Sequence, residues 1–572
     1  MILQSLVRRY EDTGEVKPGW QKRGVSHALE LLPDGTLLGI RALGNPGGDK
    51  SPKRTLILPI ADTRAGTKPY FLCDTEKYFL GTDDKKFEVS AKLHIELLGN
   101  LDVPAAKAIT AYFSAGAPAH TKTPDGRAFH LAGGDCVISD KEMTGAKFAF
   151  LVNDRFVDYE DGGGKIVSAW ETSRKTAGQG ALCLVTGELD DIIRLHYKVS
   201  LKGVTMSAQP LISMNDQTSF RSYGSKPKDP AAQVGAKAAF AYATALNDLL
   251  SSPNHHQPLG GDTLVYWSES AGEKAAEHFS LLLNPTGDED GDLSAIMKYA
   301  AQGILPEIER TEWESPFYII CLSPNAARIS VRFFLVKEFG DIILNLAKHY
   351  NNLEIYSSRD EKYHRLPYWI LLSETTLKKS AADAAPLLGG QLLNSMLTGR
   401  EYPMTLYNAI LMRIRAGEEV SRAKAAIVKA VLIRNFNNNE SEETTVALNP
   451  SSDDRAYTLG RLFATLEREQ SNAADGKLNA TIRDKYFASA CANPQVAFVT
   501  LLKLSMNHAK KLGDKGIWLE KLKGELLAKL DASDPYPTSQ NLEEQGKFIL
   551  GYYHQTQDFF TSKKDKEIDD NV

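Results

Sequence analysis

Cysteine is scarce in this chain, and no two cysteines stand at short spacing. The 572 residues include five cysteines. They are Cys73, Cys136, Cys183, Cys321 and Cys491. Zinc ribbons and disulfide frameworks need cysteines at recurring spacings, so neither is expected. We interpret the five as small buried thiols of a protein in a reducing compartment.

Long apolar runs are also missing. No segment approaches the roughly 20 apolar residues of a membrane-spanning helix. The first residues, MILQSLVRRYEDTGE, contain too short an apolar stretch for a signal peptide, and acidic residues follow at once. With 42% hydrophobic and 24% charged residues, the composition is that of a globular protein. We therefore expect a cytoplasmic protein without a membrane partner.

An excess of positive charge is absent. The chain has 67 Lys and Arg against 72 Asp and Glu, a formal net charge of −5. A protein that bound DNA alone through charge would usually be strongly basic. Any nucleic-acid role must therefore use local basic patches, or a complex whose other subunits carry much of the phosphate binding.

Catalytic and cofactor motifs are incomplete or missing. GGGK at 162–165 lacks the glycine and the Ser or Thr of a Walker A loop, since Tyr159 and Ile166 stand there. DEDGD at 288–292 does not match an EF-hand, and His255 and His256 lie between prolines without a second ligand pair. We expect no enzyme activity, no cofactor and no metal, although a site built from distant residues is compatible with the sequence.

The order of structural signals favours an α+β protein of several domains, because single cores stop growing at roughly 250–300 residues. An irregular mixed α/β part is predicted for 1–230 and a mostly helical region for 231–440. A C-terminal helical bundle is predicted for 446–572, after the acidic, Asn-rich segment NFNNNESEETT at 435–445.

Local patterns give more detailed predictions. PDG at 33–35 is a turn signal between two strand candidates. In KKFEVSAKLHIELLGN, an apolar helix face is predicted from four positions, which are Phe87, Ala91, Ile95 and Leu98. The segment 317–336, FYIICLSPNAARISVRFFLV, is strand-like, and LGRLFATLE at 459–467 has the period of a helix.

The segment 194–230 is the strongest candidate for DNA binding. From 194 to 237 there are seven Lys and Arg against two Asp, with amides and hydroxyls between them. Cations bind phosphate without reading sequence, whereas amides can contact base edges. The candidates are Lys202, Gln209, Ser213, Asn215, Arg221 and Lys226. A polar, exposed surface loop is the alternative.

Two further basic patches are weaker candidates. Residues 455–530 carry thirteen Lys and Arg against seven Asp and Glu. The cations proposed to hold a single strand there are Arg455, Arg461, Lys477, Arg483 and Lys485. Four aromatics could stack on bases, namely Tyr486, Phe487, Tyr552 and Tyr553, unless they form the core. The N-terminal loop carries Lys50, Lys53 and Arg54, which could enter a groove beside the main reader.

Several segments, in order along nearly the whole chain, resemble one protein family. They include KPYFLCDTEKYFLG (68–81), SAQPLISMN (207–215), GREYPMTLYNAILMRIR (399–415), AYTLGRLFATLEREQ (456–470), NATIRDKYFASACANP (479–494) and EEQGKFILGYYHQTQ (543–557). The chain resembles the Csd-type large subunit of type I-C CRISPR surveillance complexes (Cascade). SAQPLISMN departs from the family pattern in its shorter length and in having Met214 where the pattern has an aromatic residue.

The resemblance implies a non-catalytic subunit at the foot of the complex. Its N-terminal domain would help to recognise the protospacer-adjacent motif in duplex DNA, and its C-terminal bundle would help to hold the displaced strand. The implied partners are the guide RNA, the target DNA, the backbone subunits, the subunit capping the guide 5′ end, the small subunits and the helicase-nuclease effector. Two alternatives are a purely architectural subunit, with neighbours reading the motif, and a hidden nuclease.

Overall fold

Mixed strands and helices fill the first part of the chain and helices dominate the last part in the computed structural model, so the α+β prediction is confirmed. The structure describes residues 2–13, 16–43, 54–60, 66–122, 124–125, 128–131, 137–160, 164–174, 180–204, 208–213, 232–259, 261–269, 273–285, 295, 298–299, 310–326, 328–359, 361–385, 387–438, 443–474 and 480–561.

The chain divides into two units. The first unit is Met1–Ser200 with Met206–Asp248, and the second is Leu201–Thr205 with Leu249–Val572. The predicted domain boundaries at 230 and at 440–446 stay predictions.

Short strands and helices alternate in the first unit. Its helices are α1 (Ile2–Thr13), α2 (Glu76–Phe79), α3 (Asp84–Leu98), α4 (Pro104–Ser114), α5 (Asp140–Met143), α6 (Gly164–Ser173) and α7 (Ala236–Ser251, which runs on into the second unit). Its strands are β1 (Trp20–Val25), β2 (His27–Leu31), β3 (Leu37–Ala42), β4 (Arg54–Pro59), β5 (Cys73–Thr75), β6 (His120–Lys122), β7 (Ala128–Leu131), β8 (Val137–Ser139), β9 (Lys147–Val152), β10 (Arg155–Phe156), β11 (Ala181–Leu182), β12 (Leu189–Asp190), β13 (Lys198–Val199) and β14 (Gln209–Pro210).

The PDG turn forms as predicted and starts the central sheet. It joins β2 to β3 as an antiparallel hairpin, and β9 pairs with β2 in parallel. Strands β10 and β5 both pair with β9. Gly35 has φ +88°, and a Cβ on it would lie 2.6 Å from Cβ of Ala111. The turn therefore needs glycine both for its conformation and for its close approach to α4.

The core of the first unit corrects the predicted face of α3. Phe87 and Leu98 are buried as expected, but Ile95 is 38% exposed and His94 is fully buried in its place. Nε2 of His94 accepts a hydrogen bond from N–H of Leu72 at 3.1 Å. Burial lowers the pKa of His94 to about 4, so the ring is neutral at pH 7. The spacing of apolar residues alone cannot predict a buried histidine, because the hydrogen-bond partner that makes its burial favourable is distant in the sequence.

The second unit combines one antiparallel sheet with many helices. Its strands are β15 (His256–Leu259), β16 (Asp262–Ser268), β17 (Pro316–Asn325) and β18 (Arg328–Glu338). Its helices are α8 (Glu273–Leu283), α9 (Arg310–Trp313), α10 (Phe339–Leu353), α11 (Tyr368–Ser373), α12 (Leu388–Thr398), α13 (Met404–Arg415), α14 (Arg422–Asn435), α15 (Arg455–Ala473), α16 (Ile482–Ala492), α17 (Pro494–Leu512), α18 (Ile517–Ala528) and α19 (Leu542–Asp558). The segment 317–336 forms the strands β17 and β18, as its strand-like pattern predicts, and the two strands pair as an antiparallel hairpin.

The carboxy-terminal helices are built around α15. Leu459, Leu462, Phe463 and Leu466 are each 0–1% exposed, so the helical period is confirmed. They belong to a continuous core that includes residues of α10 to α14 as well as α19. The last helices therefore fold on the same apolar cluster as the helices that precede them in the chain.

Candidate nucleic-acid interfaces

The described part of the 194–230 segment is a two-stranded antiparallel ladder. Strand β13 pairs with β14, with Val199 opposite Gln209. Asn247 of α7 holds β13 in place: its Nδ2 donates to the Lys198 carbonyl at 2.9 Å, and its Oδ1 accepts from N–H of Ser200 at 2.9 Å. A short ladder with a helix-borne amide behind it is a positioned element rather than a free loop.

The ladder and its flanks carry three of the six predicted contacts. Gln209 is half-buried on β14, and Ser213 is exposed beyond it. Lys202 is exposed in the turn 201–204, which belongs to the second unit. Asn215, Arg221 and Lys226 lie outside the described residues.

Buried aromatic contacts support the same region of the first unit. Nδ1 of His196 lies 2.8 Å from the Tyr242 hydroxyl, and the ring of Tyr197 packs edge-on against Phe240 with the ring centroids 5.6 Å apart. Burial lowers the pKa of His196, so this histidine is neutral at pH 7 and supports β13 as a packing residue.

The N-terminal loop is described only at its end. Lys50 and Lys53 lie outside the described residues. Arg54 begins β4 and is exposed, with its guanidinium carbon 4.4 Å from the centre of the Phe156 ring. This cation–π contact holds the side chain against the sheet.

Arg461 does not lie on the surface predicted for it. The residue is 3% exposed on α15, where Nε donates to Oε1 of Gln555 at 3.1 Å and Nη1 donates to the Pro450 carbonyl at 3.2 Å. Burial lowers the pKa of this guanidinium. Its position on the inner face of α15 makes it a bridge within the bundle, out of reach of a strand on the surface.

The other described cations of the bundle are more accessible. Arg455 is 39% exposed and forms ion pairs with Asp534 at 3.0 Å and with Glu544 at 3.8 Å. Lys485 is exposed on α16, and Lys477 lies outside the described residues. Exposed ion pairs are weak, so Arg455 can exchange a carboxylate for a phosphate at little cost.

Arg483 lines a cavity at the start of α16. The residue is half-buried, and its Nη2 atom is shut off from solvent without a hydrogen-bond partner in the described part of the chain. The cavity measures about 360 Å³. A buried guanidinium nitrogen without a partner is uncommon, so this one marks a place where a water, an ion or a ligand would complete the site.

The aromatics proposed for base stacking are mostly core residues. Phe487, Tyr552 and Tyr553 are 4%, 6% and 2% exposed. Tyr486 is half-buried and packs against the same core. The three buried rings follow the core alternative: Phe487 and Tyr552 pack edge-on against Phe463 of α15, and the Tyr553 hydroxyl donates to the Tyr356 carbonyl.

The described residues form no metal-binding site, and their cysteines are not paired with one another. No group of three or more His, Cys, Asp or Glu side chains is placed in this part of the chain to hold a metal ion. Cys73, Cys183, Cys321 and Cys491 are buried free thiols, as predicted. Cys136 and the DEDGD segment lie outside the described residues. Of the helices in the described ranges, none combines the length and the apolar character needed to cross a membrane.

One residue near Arg483 was missed by the sequence analysis: Arg359 lines the same cavity. Arg468, another cation of the 455–530 patch, lies 5.0 Å from the centre of the Phe560 ring. Arg359 and Arg483 are far apart in the chain, and only the packing of the helices brings them to one cavity. No local spacing could have identified this pair.

Comparison with known proteins gives a family match over nearly the whole chain. The family model described as CRISPR-associated protein (Cas_Csd1) matches residues 3–560. The search of curated proteins gave no match.

Proposed function

The chain belongs to the CRISPR-associated Csd1 family, and from this premise we propose that it is the large subunit of a type I-C surveillance complex, which recognises the protospacer-adjacent motif in duplex DNA. Family membership makes it a component of a CRISPR effector complex. The finer role is supported by the surface chemistry of two regions. The proposed place of action is the cytoplasm.

The observation that carries the proposal is the β13–β14 ladder. It presents the amide of Gln209 and the hydroxyl of Ser213 within one short segment, backed by Asn247 of α7. An amide can donate and accept in one plane, which suits the edge of an adenine. A guide-dependent complex needs its protein to read only a few base pairs, so one such element is enough.

The proposal divides the segment by chemistry. Gln209 and Ser213, with Asn215, would lie near the motif base pairs. Lys202, with Arg221 and Lys226, would contact phosphates, since a lysine is a point charge without base preference. The exposed position of Lys202 is compatible with that role.

The second region is the C-terminal bundle, which we propose contacts the displaced strand. Arg455 and Lys485 remain in this set because their side chains reach solvent, and Arg483 remains because it lines the cavity at the start of α16. Arg461 leaves the set because its guanidinium is bound inside the bundle. The subunit would act without catalysis, and the assembled complex would recruit the helicase-nuclease.

Two substitutions, tested in the assembled complex, distinguish base contacts from phosphate contacts. Gln209→Ala should reduce discrimination between a correct and a scrambled motif by about tenfold or more, because one good base contact is worth roughly 1–3 kcal/mol. Lys202→Gln should weaken binding to both duplexes alike and lower the slope of log affinity against log salt by roughly 0.9.

Lys348→Gln is the matched control for charge, because Lys348 is an exposed lysine of α10 in the same unit as Lys202. It should leave both quantities unchanged. Full motif discrimination by the Gln209→Ala complex would remove Gln209 from the proposed reader.

A further inference from the structure

The cavity at Arg483 is a candidate for a second ligand site in the described part of the chain. It measures about 360 Å³, within the roughly 300–1,000 Å³ typical of small-molecule sites. Its lining comes from four separate parts of the second unit. The lining residues used below are Arg359, Glu419, Arg483, Tyr552, Tyr553 and Phe560.

The walls of the cavity are held by hydrogen bonds. Oε1 of Gln557 on α19 accepts from the backbone N–H of Ser358 at 2.9 Å and from its hydroxyl at 2.8 Å. The Tyr553 hydroxyl donates to the Tyr356 carbonyl at 3.0 Å. The loop after α10 is therefore tied to α19, and the protein's own hydrogen bonds shape the cavity between them. A preformed site saves the ordering cost of binding.

The charge of the lining favours an anion. Nη2 of Arg483 is enclosed and makes no hydrogen bond within the described residues. Arg359 has only a loose ion pair there, at 3.9 Å from Glu419, with the two side chains 76% and 65% exposed. Among the described residues that line the cavity, two carry a guanidinium group and one carries a carboxylate, and the arginine fork matches the oxygens of a phosphate.

An aromatic surface lies beside these donors. Phe560 is 60% exposed although it lines the cavity, and the guanidinium carbon of Arg468 lies 5.0 Å from its ring centre. An exposed aromatic face next to cations can stack on a nucleic-acid base, because every base has a π-face. Phosphate donors and a stacking face at one cavity correspond to the two halves of a nucleotide.

We propose that this cavity binds one nucleoside monophosphate unit, with its phosphate on Arg483 and Arg359 and its base against Phe560. The unit could be a free nucleotide or one nucleotide of a single strand. If the ligand is a nucleotide of a single strand, the inference rests on the proposed binding of the displaced strand by the bundle. If the ligand is a free nucleotide, the inference does not depend on that proposal.

Binding of thymidine monophosphate, thymidine and inorganic phosphate to the full-length chain, measured by calorimetry, tests the proposal. Thymidine monophosphate should bind more tightly than either half alone. Arg483→Gln should weaken its binding by about tenfold to a hundredfold, since a hydrogen bond to a charged group is lost. Arg359→Gln should weaken it less, because that side chain is mostly exposed. Phe560→Ala should weaken the binding of thymidine monophosphate but leave the binding of inorganic phosphate unchanged.

Lys521→Gln is the control, because Lys521 is an exposed cation of α18 outside the cavity. Competition by a thymidine oligonucleotide distinguishes the two sources. If the oligonucleotide displaces thymidine monophosphate from the parent and binds less tightly to Arg483→Gln, the site takes one nucleotide of a single strand. If the oligonucleotide fails to displace the monophosphate, the site takes a free nucleotide. Equal affinity of the parent and Arg483→Gln for both the monophosphate and the oligonucleotide would overturn the proposal. Motif discrimination by the complex does not enter this measurement, so failure here is separable from failure of the proposed function.

Discussion

Gly460 of α15 and Gly551 of α19 lie where the two helix backbones touch, and each faces the main chain of the other helix. A Cβ on Gly460 would collide with the Phe548 carbonyl, and a Cβ on Gly551 would collide with the Tyr457 carbonyl. Both obstacles are backbone atoms that cannot rotate away. The contact therefore depends on glycine at both positions.

Gly460→Ala should lower the free energy of unfolding of the second unit by roughly 1–3 kcal/mol, because overpacking forces the helices apart. Gly524→Ala on α18 is the matched control, since nothing lies within 4 Å of a Cβ there. That change should be neutral or stabilising by up to about 1 kcal/mol, from the helix preference of alanine. Equal effects of the two substitutions in a denaturant titration would refute the backbone contact.

Arg461 should behave as a stability residue. Arg461→Met leaves Gln555 and the Pro450 carbonyl without their donor, so unfolding should become easier by roughly 1–3 kcal/mol. Arg455→Gln, which removes only exposed ion pairs, should change stability by less than about 1 kcal/mol. Thermal unfolding of the two variants distinguishes the interior role from a surface role. A stable Arg461→Met protein with reduced strand affinity would restore Arg461 to the DNA-binding set.

A buried charge cluster makes the second unit sensitive to acid. Lys424 is 2% exposed between Glu374 at 2.9 Å and Glu418 at 3.0 Å, and Arg413 also donates to Glu418. Burial opposes ionisation of Glu418, but the hydrogen bonds from Arg413 and Lys424 outweigh it and lower its pKa to about 2.

The pH dependence of this carboxylate has a definite sign. Its pKa is depressed in the folded state, so it stabilises the fold above the unfolded pKa of 4.5, and the stabilisation is lost as pH falls toward 2. Glu418→Gln should be less stable than the parent at pH 7, by roughly 1–3 kcal/mol, and the difference should shrink below pH 4.5. A difference that stays constant from pH 7 to pH 3 would contradict the ionised cluster.

Lys485 tests the proposed strand surface of the bundle. Lys485→Gln should lower the affinity of the complex for the displaced strand a few-fold and lower the salt slope by roughly 0.7, the value for one phosphate of a single strand. Lys521→Gln removes the same charge from α18 and should change neither quantity. Equal salt slopes for the parent and Lys485→Gln would remove this lysine from the surface.

The fold class and several elements could be predicted because local patterns decide them. The PDG turn, the β17–β18 hairpin and the Leu459–Leu466 face all follow from short periodic signals. Arg461 and His94 could not be predicted, because a polar residue inside a core is identified only by partners that are distant in sequence. The cavity at Arg483 has the same origin, since its donors meet only after α10, α16 and α19 pack together.

The most direct test of the proposed function compares guide-loaded complexes with and without this subunit. Binding is measured on matched duplexes that carry either the correct adjacent motif or a scrambled one, at one fixed salt concentration, since affinity depends on salt. We expect that removal of the subunit abolishes both tight binding and motif discrimination. Undiminished discrimination without it would contradict the reading role and leave the chain an architectural subunit.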